Sequence, residues 1–94
     1  MNRDAKRLAA VRKLPCADCR HPPPSQAAHS NFSEHGKGGS MKAHDKYTVP
    51  LCLECHQNFD QYVGLTRAEA VATFDSWLEW TNRMLSEADK TITF

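Results

Sequence analysis

Two pairs of cysteines constrain this chain more than any other feature. Each pair has the spacing Cys-x-x-Cys, the first at Cys16 and Cys19 and the second at Cys52 and Cys55. A two-residue spacer folds into a tight knuckle that points both thiolates at one ion, and two knuckles supply the four ligands of a tetrahedral Zn²⁺ site. The spacing therefore predicts one structural zinc site that closes the segment between residues 15 and 60.

Two disulfides would use the same four cysteines. Disulfides persist in oxidising compartments, whereas the N-terminal stretch MNRDAKRL is polar and lacks the apolar segment of a secretion signal. We therefore expect zinc and an intracellular protein. The 94 residues are predicted to form a single domain, 1–94, whose small core a metal ion would help to stabilise. No apolar run approaches the roughly 20 residues of a membrane span, so no membrane partner is expected.

Charge is divided unevenly along the chain, although the net charge is only +1. Residues 1–50 contain nine Lys or Arg against four Asp or Glu, a net charge of +5, and residues 51–94 contain three against seven, a net charge of −4. A basic half can meet the phosphates of a nucleic acid while the acidic half faces elsewhere. Ordinary solvated surface charge would produce the same asymmetry, so both explanations stay open.

Helix and strand signals alternate in the first two thirds of the chain. Asp4 can cap a first helix at about 5–13, whose basic surface could follow a nucleic-acid backbone. Residues 26–32 and 47–51 are predicted strands that can pair, with Pro50 at a strand end or an edge. A helix after Cys52 is expected to run to about 62 or 63, where Gly64 stops it.

The C-terminal third predicts one long packing helix. Thr66 and Glu69 have the spacing of a capping box, in which each side chain satisfies a backbone N–H of the first turn. The helix is expected over about 66–86, with a broad apolar stripe, followed by a frayed tail at 89–94. Trp80 and Met84 fall partly outside that stripe, so they could mark a homodimer surface or occupy half-buried positions.

The insert between the cysteine pairs is longer than the roughly 15–20 residues of a plain zinc ribbon. It is long enough to hold an active site. Residues 31–39 are rich in glycine and polar side chains, which predicts a mobile surface loop. Three lysines in and after this loop are the predicted phosphate contacts: Lys37, Lys42 and Lys46.

The order of these motifs resembles a known family. Cys16-x-x-Cys19, Ala28-His29, Lys42-x-x-Asp45 and Pro50-Leu51-Cys52-x-x-Cys55-His56-x-x-x-Asp60 resemble the zinc-stapled HNH endonucleases, also called His-Me finger or ββα-metal nucleases. The branch that the chain most resembles comprises the phage and prophage recombination-enhancement, RecA-dependent nuclease and the YbcO-like nucleases. The resemblance covers about 14–62 and implies a small α+β fold, in which a ββα-metal core is flanked by N-terminal and C-terminal helices.

The resemblance also implies an activity. It implies a metal-dependent DNA endonuclease with little sequence specificity, working in phage or prophage recombination in the bacterial cytoplasm, with DNA and a RecA-type filament as partners. His29 is the implied general base and His56 a ligand of a second, catalytic divalent metal. A neutral imidazole, whose ordinary pKa is about 6.5, can accept a proton from water at neutral pH. The metal would stabilise the charge of the transition state.

Three positions depart from the family pattern. Ala28 stands where many members have a metal ligand, and Asp45 replaces the middle Asn. Asp60, four residues after His56, stands where members often have His or Lys. Asp60 shares a helix face with His56, and Asp45 could ligate the metal or orient the His29 ring by accepting its Nδ1–H. Such ligands suit Mg²⁺ or Mn²⁺, and also admit Zn²⁺ or Ni²⁺.

Two alternatives from other functional classes remain open. Because Ala28 cannot coordinate a metal, the chain could be a non-catalytic zinc-knuckle module that binds DNA or a recombination protein. It could also be a zinc-stabilised adaptor whose last helix docks a partner through Trp77 and Trp80.

Overall fold

In the residues that the structure describes, the chain folds into a small α+β structure with three helices and one two-stranded sheet. The computed structural model describes residues 4–30, 32, 44–61 and 64–92, with side chains of the last helix described as far as residue 87. This confirms the predicted fold class at the level of its elements. In chain order these are α1 (Ala5–Arg12), β1 (Gln26–His29), β2 (Thr48–Leu51), α2 (Leu53–Asp60) and α3 (Arg67–Ile92).

The two strands form an antiparallel hairpin. Gln26 lies opposite Leu51, Ala28 opposite Val49 and His29 opposite Thr48. Pro50 is inside β2, opposite Ala27, where a two-stranded sheet tolerates it because each strand is also an edge. Its carbonyl accepts a 2.7 Å hydrogen bond from the N–H of Ala17, so the outer edge of β2 is joined to the first cysteine knuckle.

Both strands are shorter than predicted, because local hydrogen bonds turn the chain at their ends. The predicted strand over 26–32 ends at His29. The N–H of Ser30 still donates to the carbonyl of Tyr47 at 3.0 Å, but the Ser30 hydroxyl then accepts from the N–H of Phe32 at 3.1 Å. The second strand begins at Thr48, because residues 44–47 form a turn in which the N–H of Tyr47 donates to the carbonyl of His44 at 2.9 Å.

The helix boundaries also differ from the prediction. α1 ends at Arg12 with Lys13 as its C-cap, and α2 ends at Asp60 with Gln61 as its C-cap; residues 62 and 63 lie outside the described residues. α3 continues to Ile92, so the predicted end near 86 and the frayed tail beginning at 89 are wrong as far as residue 92. The segment EADKTI contains no Gly or Pro and several good helix formers, so nothing in it stops the helix.

The two predicted helix caps are confirmed. The Asp4 carboxylate accepts from the N–H of Arg7 at 3.0 Å. The N–H of Thr66 donates to Glu69 Oε1 at 2.9 Å, while the N–H of Glu69 donates to the Thr66 hydroxyl at 3.2 Å. This bonding is the main reason that the pKa of Glu69 is lowered. Both helices therefore start where the sequence places them.

A cluster of aromatic rings forms the centre of the core. Phe32, Phe59 and Phe74 lie with ring centroids 6.0–6.1 Å apart, and Trp77 lies 4.9 Å from Phe59. The rings pack with one face of the hairpin, which contributes Ala28, Val49 and Leu51. Phe32 is the exception to the predicted surface loop at 31–39, because it is buried; the rest of that loop lies outside the described residues.

In the described part of the chain, no helix combines the length and the hydropathy that crossing a bilayer requires.

Candidate functional site

The four cysteines come together into one cluster. Their sulfur atoms all lie within 4.8 Å of one another, and Cys19 Sγ lies 3.7 Å from Cys52 Sγ. Zn–S bonds of about 2.3 Å place the sulfurs of a tetrahedral site about 3.8 Å apart, whereas a disulfide requires about 2.05 Å. All four thiols are free. The cluster can therefore bind a metal ion such as zinc, and the disulfide alternative is not formed.

Local backbone geometry aims the thiols at one another. In the first knuckle the N–H of Cys19 points at Cys16 Sγ at 3.5 Å, and the N–H of Arg20 donates to the carbonyl of Cys16 at 3.0 Å. In the second, Cys52 is the extended N-cap of α2, and Cys55 lies within the first turn of that helix. Each pair is thus positioned by its own turn, and the hairpin only has to bring the two turns together.

The surroundings shift the pKa values of the Cys16 and Cys55 thiols in opposite directions. Burial raises the pKa of the Cys16 thiol, but backbone N–H groups, led by that of Cys19, outweigh it and lower that pKa to about 7. Burial, reinforced by the neighbouring thiol of Cys52, raises the pKa of Cys55 far above its usual range. A bound divalent cation would have to displace a proton from Cys55.

Arg20 ties the first knuckle to α3. Its backbone is in the left-handed region with φ 64°, which costs about 1 kcal/mol for a residue other than glycine. The guanidinium donates to the carbonyls of Cys16 and Ala17 and lies 4.2 Å above the Trp80 ring. Trp80, predicted to be half-buried or to mark a partner surface, is half-buried here and covered by this cation.

The predicted base, His29, forms a close pair with Asp45. His29 Nε2 and Asp45 Oδ1 are 2.7 Å apart. This contact supports the interpretation that Asp45 orients the His29 ring. The predicted ring nitrogen is wrong, because the contact uses Nε2 and not Nδ1. The cause is the turn at 44–47, which brings Asp45 to the end of β1 beyond the ring.

Asp45 is fully engaged by the protein. Its second oxygen, Oδ2, accepts a 2.6 Å hydrogen bond from the N–H of Asp4, at the start of α1. The hydrogen bond from His29 is the main cause that lowers the pKa of Asp45, and the N–H of Asp4 is the next. The buried carboxylate is therefore ionised at neutral pH, and both oxygens already have partners.

This arrangement determines which nitrogen of His29 can act as a base. An ionised carboxylate only accepts hydrogen bonds, so a neutral His29 ring must carry its proton on Nε2. Nδ1 then keeps its lone pair, and the side chain remains 33% exposed. The pair can hold a ring nitrogen ready to accept a proton from a solvent-borne group.

His56 lies beside the other end of β1. Its Nδ1 is 2.6 Å from the side-chain oxygen of Gln26, and its Nε2 is 3.8 Å from Asp60 Oδ2. The predicted sharing of one helix face by His56 and Asp60 is therefore confirmed. With Nδ1–H donated to Gln26, Nε2 is the nitrogen that can face a cation. Two atoms 3.8 Å apart can both contact one ion, but they supply only two ligands.

The hairpin keeps the two histidine pairs apart. Gln26 and His29 are three residues apart, so their side chains point to opposite faces and their positions differ by about 10 Å along the strand. His56 is hydrogen-bonded to Gln26, and Asp45 is hydrogen-bonded to His29. Among residues 4–30, 32, 44–61 and 64–87, the four cysteines are the only group of three or more side chains that could hold a metal. Among the described residues, His29, Asp45, His56 and Asp60 therefore do not supply three or more ligand atoms to one metal ion.

Of the predicted phosphate contacts, only Lys46 is described. It is exposed, and its ammonium lies 5.2 Å from the centre of the Tyr47 ring. Lys37 and Lys42 lie outside the described residues. His44 is half-exposed in the turn beside Asp45.

One buried contact of α1 is not indicated by the sequence. Arg7 lies on the first helix, whose surface the sequence predicts to be basic, but its side chain is half-buried and points inward, and burial is the main cause that lowers its pKa. Its Nε donates to the Thr48 hydroxyl at 3.0 Å and its Nη2 to the Thr48 carbonyl at 2.8 Å. The local sequence around Arg7 gives no sign of this contact, because Thr48 lies 41 residues further along the chain. The same separation divides Asp4 from its partner Asp45.

Comparison with known protein families gives one result. A family model described as "Protein of unknown function (DUF968)" matches residues 2–88. The chain belongs to the DUF968 family. No curated protein and no solved structure matches it. The DUF968 match covers α1, the hairpin, α2 and most of α3, and so extends beyond the segment between the cysteine pairs.

Proposed function

We propose that this DUF968 protein is a phosphodiester hydrolase of the HNH type that cuts DNA with little sequence preference. The observation that carries the proposal is the His29–Asp45 pair, with a 2.7 Å contact on Nε2 and a partly exposed ring. A buried, ionised carboxylate that fixes the tautomer of a histidine is a recurrent way to prepare a general base. The order hairpin, cysteine knuckle and helix supports the same assignment.

In the proposed reaction His29 acts on water. Nδ1 removes a proton from a water molecule while the water oxygen forms a bond to phosphorus, and the bond from phosphorus to the 3′ oxygen breaks. The leaving oxygen takes a proton from solvent. Asp45 stabilises the imidazolium that forms, because its carboxylate faces the opposite ring nitrogen at 2.7 Å.

The four-cysteine cluster is proposed to hold a structural Zn²⁺ ion. It lies where the first knuckle, the end of β2 and the start of α2 meet, and it can serve as the staple that this small core needs. Four protein sulfurs leave no open position for a substrate, which is the pattern of structural sites.

A second divalent cation, Mg²⁺ or Mn²⁺, belongs to the proposal through the family resemblance. His56 and Asp60 would be its protein ligands, and it would supply positive charge to phosphate oxygens when bound. Mg²⁺ commonly uses only one or two protein groups and completes its shell with water and phosphate. The described residues near His29 do not fit such a site, so proton transfer is assigned to His29, with Asp45 as the carboxylate that stabilises its ring.

DNA is the proposed substrate because of where positive charge is exposed. The outer side of α1 and the turn before β2 present Lys6, Arg12, Lys13 and Lys46 to solvent. Both elements border the His29–Asp45 pair, through Asp4 and through Asp45 itself. Phosphate contacts of this kind position a nucleic acid without reading its sequence.

A cleavage assay tests the proposal. Supercoiled plasmid and single-stranded DNA are incubated with the protein and Mg²⁺ or Mn²⁺, with and without a RecA-type filament. His29→Ala should reduce cleavage by about 10²–10⁴-fold, because it removes the base. His21→Ala is the matched control, since His21 is exposed on the connector after the first knuckle. Equal cleavage by His29→Ala and the parent would refute the role of His29.

A second candidate is a non-catalytic zinc module that binds DNA. Ala28 favours it, because this residue is only 2% exposed and leaves no ligand next to the base. The separation of the two histidine pairs favours it as well. Salt-sensitive DNA binding without cleavage under any of these conditions would support this candidate instead.

A further inference from the structure

The His29–Asp45 pair is held in place from outside the hairpin. Asp45 is in a turn, and turns seldom fix a side chain by themselves. Here the carboxylate accepts from the N–H of Asp4 at 2.6 Å, and Asp4 is the N-cap of α1. The start of α1 thus contacts the oxygen of Asp45 that His29 does not use.

Arg7 holds the backbone of the same turn. Its Nε donates to the Thr48 hydroxyl at 3.0 Å, and that hydroxyl is 2.7 Å from the carbonyl of Asp45. Because an arginine is always a donor, the Thr48 hydrogen must point away from it and toward Asp45. Nη2 also donates to the Thr48 carbonyl at 2.8 Å. Two nitrogens of one rigid guanidinium therefore fix the orientation of both the hydroxyl and the carbonyl of Thr48.

The arrangement spans three elements. Arg7 Nη1 donates to Asn82 Oδ1 of α3 at 2.9 Å, so the guanidinium lies between α3 and β2. Thr48 is fully buried and directly opposite His29 in the hairpin. A shift of Arg7 would move Thr48 and the turn that carries Asp45, and with them the partner of His29.

We propose that Arg7 and Thr48 are positioning residues that fix the tautomer of His29 through Asp45. The proposal rests on the proposed function only for its effect on rate; the tautomer is a property of the folded protein. It gives α1, which lies outside the segment resembling the HNH nucleases, a part in the site.

The test is ¹⁵N NMR of the histidine rings, which distinguishes protonated from unprotonated ring nitrogens. In the parent, His29 should show one neutral form with its proton on Nε2. Thr48→Val keeps the side-chain shape but removes the hydroxyl, and it should give a mixture of tautomers. Thr48→Ser restores the hydroxyl and should restore the single form. Arg7→Met should behave like Thr48→Val.

Cleavage rates provide the second readout. Thr48→Val and Arg7→Met should each lower kcat by about 10- to 100-fold, the usual cost of losing a group that orients a functional side chain. Arg83→Met is the control, because it removes the same charge from an exposed site on α3. Should Arg7→Met fail to fold, Arg7→Lys retains the charge and one donor but not the fork, and a mixture of tautomers is expected there too.

The two hypotheses fail separately. An unchanged single tautomer in folded Thr48→Val and Arg7→Met overturns the positioning role, whatever the nuclease activity. A changed tautomer in a protein whose parent never cuts DNA supports the positioning role and refutes the proposed function.

Discussion

The cysteine cluster and the two histidine pairs are built in different ways. Each cysteine pair is aimed by a turn of its own, and the four sulfurs converge within 4.8 Å. The histidine pairs lie at opposite ends and on opposite faces of one hairpin, His29 with Asp45 and His56 with Gln26 and Asp60. A site whose ligands come from short local motifs assembles as the spacing implies, whereas a site spread over strand, turn and helix depends on how those elements pack.

Removal of zinc should have the largest effect on stability, and it tests the cysteine cluster, whose ligands come from local motifs. Metal binding to such clusters amounts to about 10–16 kcal/mol, which is as large as the whole free energy of unfolding of a typical domain, about 5–15 kcal/mol. A strong chelator should therefore unfold the protein, as followed by circular dichroism together with zinc analysis. Reductant alone is the control, since the thiols are free. A protein that keeps its fold after complete loss of metal would contradict the prediction.

His56→Ala, compared with His29→Ala, tests whether the two histidine pairs form separate units. The base variant should lose about 10²–10⁴-fold in cleavage at every cation concentration. His56→Ala would remove a proposed cation ligand, so added Mg²⁺ or Mn²⁺ should recover part of the lost cleavage activity. Cleavage rates over a cation titration measure both. Equal losses that no cation concentration relieves would indicate one shared centre and contradict the separation described here.

DNA binding should weaken steeply with salt, and the basic residues beside the His29–Asp45 pair should carry the effect. Lys6→Ala and Lys46→Ala should each reduce the slope of log affinity against log salt by about 1, for all sequences alike. Fluorescence anisotropy with short duplexes measures this. Arg83→Ala, on α3 in the acidic half, is the control and should leave the slope unchanged. A strong preference for one short sequence would be inconsistent with binding through phosphates.

Thr66→Ala should have the smallest effect and examines a second locally encoded feature. It removes the hydroxyl that accepts from the N–H of Glu69 at 3.2 Å, which should lower the free energy of unfolding by about 1 kcal/mol. Thermal melting gives the change, with Ser76→Ala in the exposed middle of α3 as control. Zinc content and cleavage should stay at parental values. A loss of zinc would show that the cap and the cysteine cluster are not independent.

The sequence by itself determined the features that short spacing encodes. Cys-x-x-Cys predicted the sulfur cluster, Thr66-x-x-Glu69 the capping box, and the i, i+4 pair of His56 and Asp60 their common face. Each depends on a turn of backbone whose geometry is nearly the same in any protein. Where local hydrogen bonds form beside the strand ends, as at the Ser30 hydroxyl and the Tyr47 N–H, the predicted boundaries were off by a few residues.

Only the tertiary structure decided which side chains from distant parts of the chain contact one another. Arg7 turns inward to Thr48 because α1 packs against the hairpin. Asp45 meets Nε2 rather than Nδ1 because of the turn at 44–47. The His29 and His56 pairs are apart because they are bonded to opposite ends of β1. Arg7 and Asp45 each contact residues about 40 positions away. Contacts over such distances are set by burial and chain connectivity together, and no local spacing in the sequence encodes them.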